Sequence, residues 1–201
     1  VWDATTGDAQ IAIDGHKGGV RCVALSADGI HVLTGGADGT ARLCALATGE
    51  CERVLRGHQG PVNAAMFSDD GRMVLTGGAD GVVRMWDRAT GETCGKFAGH
   101  KGEVNSLCYG AHGMSFLSSG ADNALIHWDL KNGSQLGAIH SFPSPLLSVA
   151  VSNDRRYLLA GSADGFLEYL DLISGKRLGR RRGHSEPVTA VCISKRGQFA
   201  L

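Results

Sequence analysis

Short apolar runs alternate with turn-forming clusters along the whole chain. Between residues 58 and 99 the apolar run Val62–Phe67 is followed by the cluster Ser68-Asp69-Asp70-Gly71, and Met73–Thr76 by Ala79-Asp80-Gly81. Val82–Trp86 then alternates apolar and polar positions, Ala89-Thr90-Gly91 turns once more, and Thr93–Phe97 completes the stretch. Runs this short, bounded by Gly, Asp and Ser, read as β-strands joined by tight turns. The pattern predicts four strands in these residues and no helix of useful length anywhere.

The pattern recurs at a fixed interval. The turn residues Asp38, Asp80, Asp122 and Asp164 lie 42 residues apart. His16, His58 and His100, each preceded by Gly, keep the same interval; His184 follows a double step later, with Phe142 in the slot between. Asp3, Asp87, Asp129 and Asp171 share one register, with Ala45 in its empty slot, and Gly29, Gly71, Gly113 and Gly197 share another, with Arg155 in theirs. No insertion or deletion interrupts the series. Self-similarity at this period marks a repeat architecture, and four strands per period make each repeat one four-stranded antiparallel blade. The predicted fold is therefore an all-β propeller. The whole chain, 1–201, reads as a single propeller region with complete repeats at 16–57, 58–99, 100–141 and 142–183. Residues 1–15 hold the end of a preceding blade, and 184–201 hold a first strand and the start of a second, which makes two partial blades.

These residues carry a family likeness. Gly57-His58, Thr76, Asp80-Gly81 and Trp86-Asp87, repeated as Gly99-His100, Ser118, Asp122 and Trp128-Asp129, resemble the signature of the WD-repeat β-propeller family. The resemblance extends from Trp2-Asp3 to Gly183-His184. It implies a hydrogen-bonded tetrad inside each blade: His58, Thr76, Asp80 and Trp86 in one, His100, Ser118, Asp122 and Trp128 in the next. The chemistry is self-consistent. A buried carboxylate needs donors, a neutral imidazole both donates and accepts, and an indole N–H needs an acceptor. His, Asp and Ser or Thr also make up a hydrolase triad. A triad, however, occurs once per active site, whereas this set recurs, so the residues read as architecture and no catalytic residue is expected.

Two blades depart from the pattern. The first keeps His16, Thr34 and Asp38 but has Cys44 in place of Trp. The fourth has Phe142, Ala160 and Leu170 at three tetrad positions. Losing a buried network as a set costs far less than losing one member, because few groups are left stranded. Asp164 is then expected to be only a turn residue before Gly165.

Composition narrows the function. Lys plus Arg and Asp plus Glu both number 20, which gives no global charge for nucleic acid or an anionic membrane. No apolar run approaches the ~18 residues of a membrane span, and no signal segment opens the chain. The chain begins Val1-Trp2-Asp3 without Met, so an original N-terminus is expected to be missing. Six cysteines lack metal-ligand spacing, so free buried thiols, a reducing intracellular compartment (cytoplasmic or nuclear) and no metal or cofactor are expected. The chain is nine residues short of five whole periods and far short of seven, the commonest number in the resembling family; an open arc or part of a larger, seven-bladed propeller is expected.

The resemblance implies a non-catalytic scaffold that binds other proteins or peptides in a multiprotein assembly. Candidate contacts on the loops after each His are Lys17, Arg21, Asn63, Glu103, Asn105 and Thr189. The residues before the turn aspartates, Ala37, Ala79, Ala121 and Ala163, are too small to anchor a partner. The segment Phe142-Pro143-Ser144-Pro145-Leu146-Leu147 breaks the polar loop pattern; Phe142 and Leu147 are the preferred apolar contacts, and local packing in place of the lost tetrad is the alternative. A second reading is an RNA-associated subunit that uses the basic segment 176–182. Aromatic interleaving is absent there, and an edge strand guarded by charge accounts for it equally. Self-association of an incomplete ring is a further expectation, since such a ring would bare blade faces.

Overall fold

In the computed structural model each 42-residue period folds into one four-stranded antiparallel sheet. Residues 1–110, 114–194 and 199 are described, with the backbone alone for 138–140. Gly113 and Gly197, two members of the glycine series, lie outside the described residues. The first sheet comprises β1 (Val20–Leu25), β2 (His31–Gly36), β3 (Thr40–Ala45) and β4 (Cys51–Arg56). The second has β5 (Val62–Phe67), β6 (Met73–Gly78), β7 (Val82–Asp87) and β8 (Thr93–Ala98). The third has β9 (Val104–Tyr109), β10 (Ser115–Gly120), β11 (Ala124–Asp129) and β12 (Gln135–Ser141). The fourth has β13 (Leu146–Val151), β14 (Tyr157–Ser162), β15 (Phe166–Asp171) and β16 (Lys176–Arg182). Strand order in every sheet follows chain order, as hairpin after hairpin dictates, and no helix occurs among the described residues.

Turn chemistry builds the hairpins. Ser26 and Ser68 donate to Asp28 and Asp70 two residues on, and their hydroxyls also accept the N–H of His31 and Met73. Gly29 and Gly71 complete these turns at φ 68° and 67°. In the fourth sheet Arg155 occupies that slot and adopts φ 57°, a left-handed conformation that a side chain resists. It is offset by the Arg155 guanidinium lying 5.0 Å above the Tyr109 ring.

The chain divides into two compact units. One comprises Val1–Asp80 and Arg84–Gly95, the other Gly81–Val83 and Lys96–Leu201. In the first unit, Leu33, Leu43, Leu55, Val62, Val74 and Trp86 form a buried core. Close approach needs glycine here: a Cβ on Gly35 would lie 2.7 Å from Val62 Cγ1 and 2.5 Å from Cys22 Sγ. In the second unit, Phe142, Leu146, Leu158, Ala160 and Leu170 join Cys108, Leu117 and Leu125. Phe97, Phe116 and Trp128 pack beside one another, with Phe97 edge-on to both partners at 4.9 and 5.7 Å. Backbone links repeat as well: Ser106 Oγ accepts the N–H of Val149, and Ser148 Oγ accepts that of Val191.

The outer segments are irregular. Residues 1–15 make one isolated bridge, Trp2 to Ala9. Residues 188–193, expected as a first strand, form no continuous ladder; the partner strand would fall in 195–201, all but 199 of which lie outside the described residues. Val188 is nonetheless buried on Gly161, as Val62 is on Gly35. The cysteines do not share one environment, contrary to the expectation of uniform burial. Cys44 and Cys108 are buried, Cys22 and Cys51 half-buried, and Cys94 and Cys192 exposed; all six are free thiols.

Candidate functional site

Three networks hold the loops that precede β1, β5 and β9. In the second sheet Trp86 Nε1 donates to Thr76 Oγ1 at 2.9 Å, and that hydroxyl lies 2.8 Å from His58 Nε2. The ionised Asp80 carboxylate on the Nδ1 side can only accept, so neutral His58 leaves Nε2 to accept the Thr76 hydroxyl proton while that oxygen accepts the indole N–H. Neutral His58 then carries its proton on Nδ1 and donates to Asp80 Oδ1 at 2.9 Å. Burial pushes His58 below its ordinary pKa against the opposing pull of Asp80, which favours that neutral form.

The third sheet repeats the geometry. Trp128 donates to Ser118 at 2.7 Å, Ser118 lies 2.8 Å from His100 Nε2, and His100 Nδ1 lies 2.9 Å from Asp122. Burial raises the Asp122 carboxyl, but the Lys101 N–H and His100 hold it below its usual range. The first sheet, without its indole, keeps His16 Nε2 at 2.9 Å from Thr34 and His16 Nδ1 at 3.1 Å from Asp38. Thr40 adds a hydroxyl donor to Asp38 at 2.8 Å.

Each aspartate does a second job. Its other oxygen accepts the backbone N–H of the residue after the histidine: Lys17 at 2.8 Å, Gln59 at 3.1 Å, Lys101 at 2.8 Å. The loop backbone is pinned while those side chains stay exposed. Thr76 and Ser118 are 0% exposed, so neither hydroxyl can meet a substrate carbonyl. Among the described residues no three His, Cys, Asp or Glu side chains cluster as a metal would require.

The fourth sheet is rebuilt. Phe142, Ala160 and Leu170 are buried in one apolar cluster where the polar partners stand elsewhere. Asp164 is more than a turn residue, which corrects the sequence expectation. It accepts from Ser162 at 2.6 Å and pairs with Arg180, and although burial raises its carboxyl these partners hold it low. Arg180 also pairs with Glu168 at 2.9 Å, and Arg177 pairs with the same carboxylate. Glu168 is 0% exposed and is the cross-strand partner of Arg180. Sequence reasoning missed this cluster. Its signal was a Glu at the repeat position of Arg42, Arg84 and Ile126, directly opposite a basic strand.

The candidate contacts separate in the same way. Lys17, Arg21, Glu103 and Thr189 are exposed, and Asn63 and Leu147 are half-buried. Asn105 does not face solvent freely; its Nδ2 donates to the Leu146 carbonyl at 2.9 Å. Phe142, a candidate contact whose alternative was local packing in place of the lost tetrad, is 4% exposed and lies in the apolar cluster, in keeping with that packing. At the opposite end of the strands, in the first unit, lies a groove of about 620 Å³ lined by His31, Glu52, Arg53, Arg72, Asp87 and Arg88. Arg88 is held there by Asp28 at 2.9 Å, by the Gly71 carbonyl at 3.1 Å and by a contact with His31.

Four-stranded antiparallel sheets with a His–Ser/Thr–Asp network, spaced by one strict period, are the blades of a propeller-type repeat scaffold. The family model of the WD domain, G-beta repeat, matches residues 7–44, 49–87, 91–129 and 134–168, and the chain belongs to the WD-repeat family. WD repeats generally mediate protein–protein interaction. No curated protein sequence matches the chain. No helix among the described residues is long and apolar enough to cross a membrane.

Proposed function

We propose that this chain is a non-catalytic scaffold that binds other proteins or peptides in a multiprotein assembly, through the loops that carry His16, His58 and His100. The observation that carries the reading is the double use of each aspartate. One oxygen holds the histidine, and the other holds the backbone N–H of Lys17, Gln59 or Lys101. A loop fixed before binding loses little entropy when a partner arrives. Lys17, Arg21 and Glu103 are the contacts these loops present, with Thr189 on the separate segment after His184, and free thiols support an intracellular setting.

The RNA reading is the weaker one. Arg177 and Arg180 of segment 176–182 are spent on Glu168 and Asp164 rather than held out for phosphates. Self-association is favoured by a separate observation: Val20, Val23 and Leu25 of β1 are 56–65% exposed, whereas Val62 and Phe67 at equivalent repeat positions are buried.

The test is affinity capture with the full chain, read by mass spectrometry. The control is a Lys17→Glu, Arg21→Glu, Lys101→Glu variant shown to melt like the parent. Proteins held by the parent and lost from the variant support the proposal. Equal capture by both, or capture abolished by ribonuclease, overturns it. Light scattering of the purified chain reports on self-association.

A further inference from the structure

The first sheet departs from the repeat at two places that face each other. Position 44 is Cys where the second and third sheets have Trp86 and Trp128, and position 51 is Cys where they have Thr93 and Gln135. Cys44 and Cys51 are direct Cα partners across β3 and β4, as Trp128 and Gln135 are across β11 and β12. The register skips Glu52 beside the pair, a local bulge. Opposed residues of antiparallel strands have Cα atoms roughly 4.5 or 5.5 Å apart and project side chains from one face. Both spacings lie in the range of about 4.4–6.8 Å that a disulfide spans.

We infer that Cys44 and Cys51 are a dithiol pair built to close reversibly into a disulfide across the outer hairpin of the first sheet. The two thiols differ in access. Cys44 is 0% exposed in the place of the indole, whereas Cys51 is half-buried, with its sulfur 3.9 Å from Arg42 Nη1 and 3.4 Å from the Arg53 carbonyl. Burial, with the adjacent Cys51 adding to it, pushes the Cys44 thiol up to about 12. Cys44 is therefore the resolving partner and Cys51 the one that meets the oxidant.

The oxidant is a low-molecular-weight disulfide such as glutathione disulfide. The Cys51 thiolate attacks one of its sulfurs, breaks the S–S bond and releases one glutathione thiol. The Cys44 thiolate then attacks the Cys51 sulfur of the mixed disulfide and releases the second. Two protein thiols lose two protons and two electrons, and the small disulfide becomes two thiols. Excess thiol runs the exchange backwards. Glu52 and Arg53, next to Cys51, line the groove that Arg88 enters, so the bond would set how firmly that wall is held.

The experiment equilibrates the full 201-residue chain in glutathione buffers from reducing to oxidising. Acid quenching, alkylation after unfolding and tryptic mapping follow. Both cysteines fall in one tryptic peptide, Leu43–Arg53. In oxidising buffer that peptide should be two hydrogens lighter with no alkyl group, and it should regain two alkyl groups in excess thiol. Cys51→Ser should abolish the change, and a Cys94→Ser, Cys192→Ser variant should leave it intact. If the peptide stays doubly alkylated at every ratio, or Cys51 is joined only to glutathione or to another cysteine, the inference fails.

Discussion

Arg180 pairs with Asp164, the aspartate whose counterparts Asp38, Asp80 and Asp122 are held by histidine. The pairing explains how the fourth blade survives without a tetrad. Its apolar replacements fill the space of the network, and a strand-four arginine takes over the one carboxylate left behind. The same guanidinium lies 3.6 Å above the Phe166 ring and reaches the buried Glu168. The cluster stays local to β14–β16, so the rest of the blade keeps its geometry.

Removing Arg180 leaves Glu168, 1% exposed at its side chain, with Arg177 alone. Breaking a buried ion pair by deleting one partner costs ~3–5 kcal/mol. Arg180→Ala should fall near the lower end, because Arg177 remains and Arg180 is 29% exposed. Urea unfolding measures it. A loss no larger than that of Arg181→Ala would show that the pair is a surface contact of little consequence.

Thr76 and Ala160 occupy the same repeat position in opposite surroundings. Thr76→Val strands the Trp86 N–H and His58 Nε2, at about 1–3 kcal/mol for each group. Ala160→Ser should also destabilise, by ~1–3 kcal/mol, because it buries a hydroxyl inside an apolar cluster. Equilibrium unfolding of the two variants decides the matter. Stabilisation by Ala160→Ser would mean that the fourth blade still holds polar partners at that position.

Phe142 separates its two sequence readings, local packing and partner contact. As a core residue, its replacement by Ala should cost ~3–5 kcal/mol, whereas Leu147→Ala, at a half-buried position, should cost much less. Melting curves separate the two. Equal, small effects would return Phe142 to the surface as a contact.

Acid should weaken the fold in two stages. Burial lowers the His58 pKa from 6.5, so the unfolded chain binds its proton first. Stability from His58 is then complete above about 6.5 and declines as pH falls below it. Asp122 and Asp164 are held below 3.8, so their contribution is present above that value and is lost at still lower pH. The urea midpoint should therefore fall between about pH 7.5 and 5, and His58→Gln should flatten that slope. A midpoint that rises on acidification in this interval would show that His58 is stabilised in its charged form.

The sequence determined the period, the four strands per repeat and the turn residues, while the partners within each tetrad were implied by its resemblance to the WD-repeat family. The period, strands and turns follow from local rules. Alternating polarity sets which side chains share a face, turn chemistry sets where strands end, and a rigid 42-residue spacing carries both from one blade to the next. Tertiary structure alone decided the rest. Phe142 reads as either a partner contact or local packing until the cluster of Leu146, Leu158 and Leu170 places it in the core. Asn105 looks like a free contact until the Leu146 carbonyl takes its amide. Whether Arg177 and Arg180 guard an edge strand or face phosphates is open in the sequence; cross-strand register is what sets them beside Glu168. Burial and the satisfaction of polar groups depend on which neighbours a position meets, and those neighbours lie on other strands.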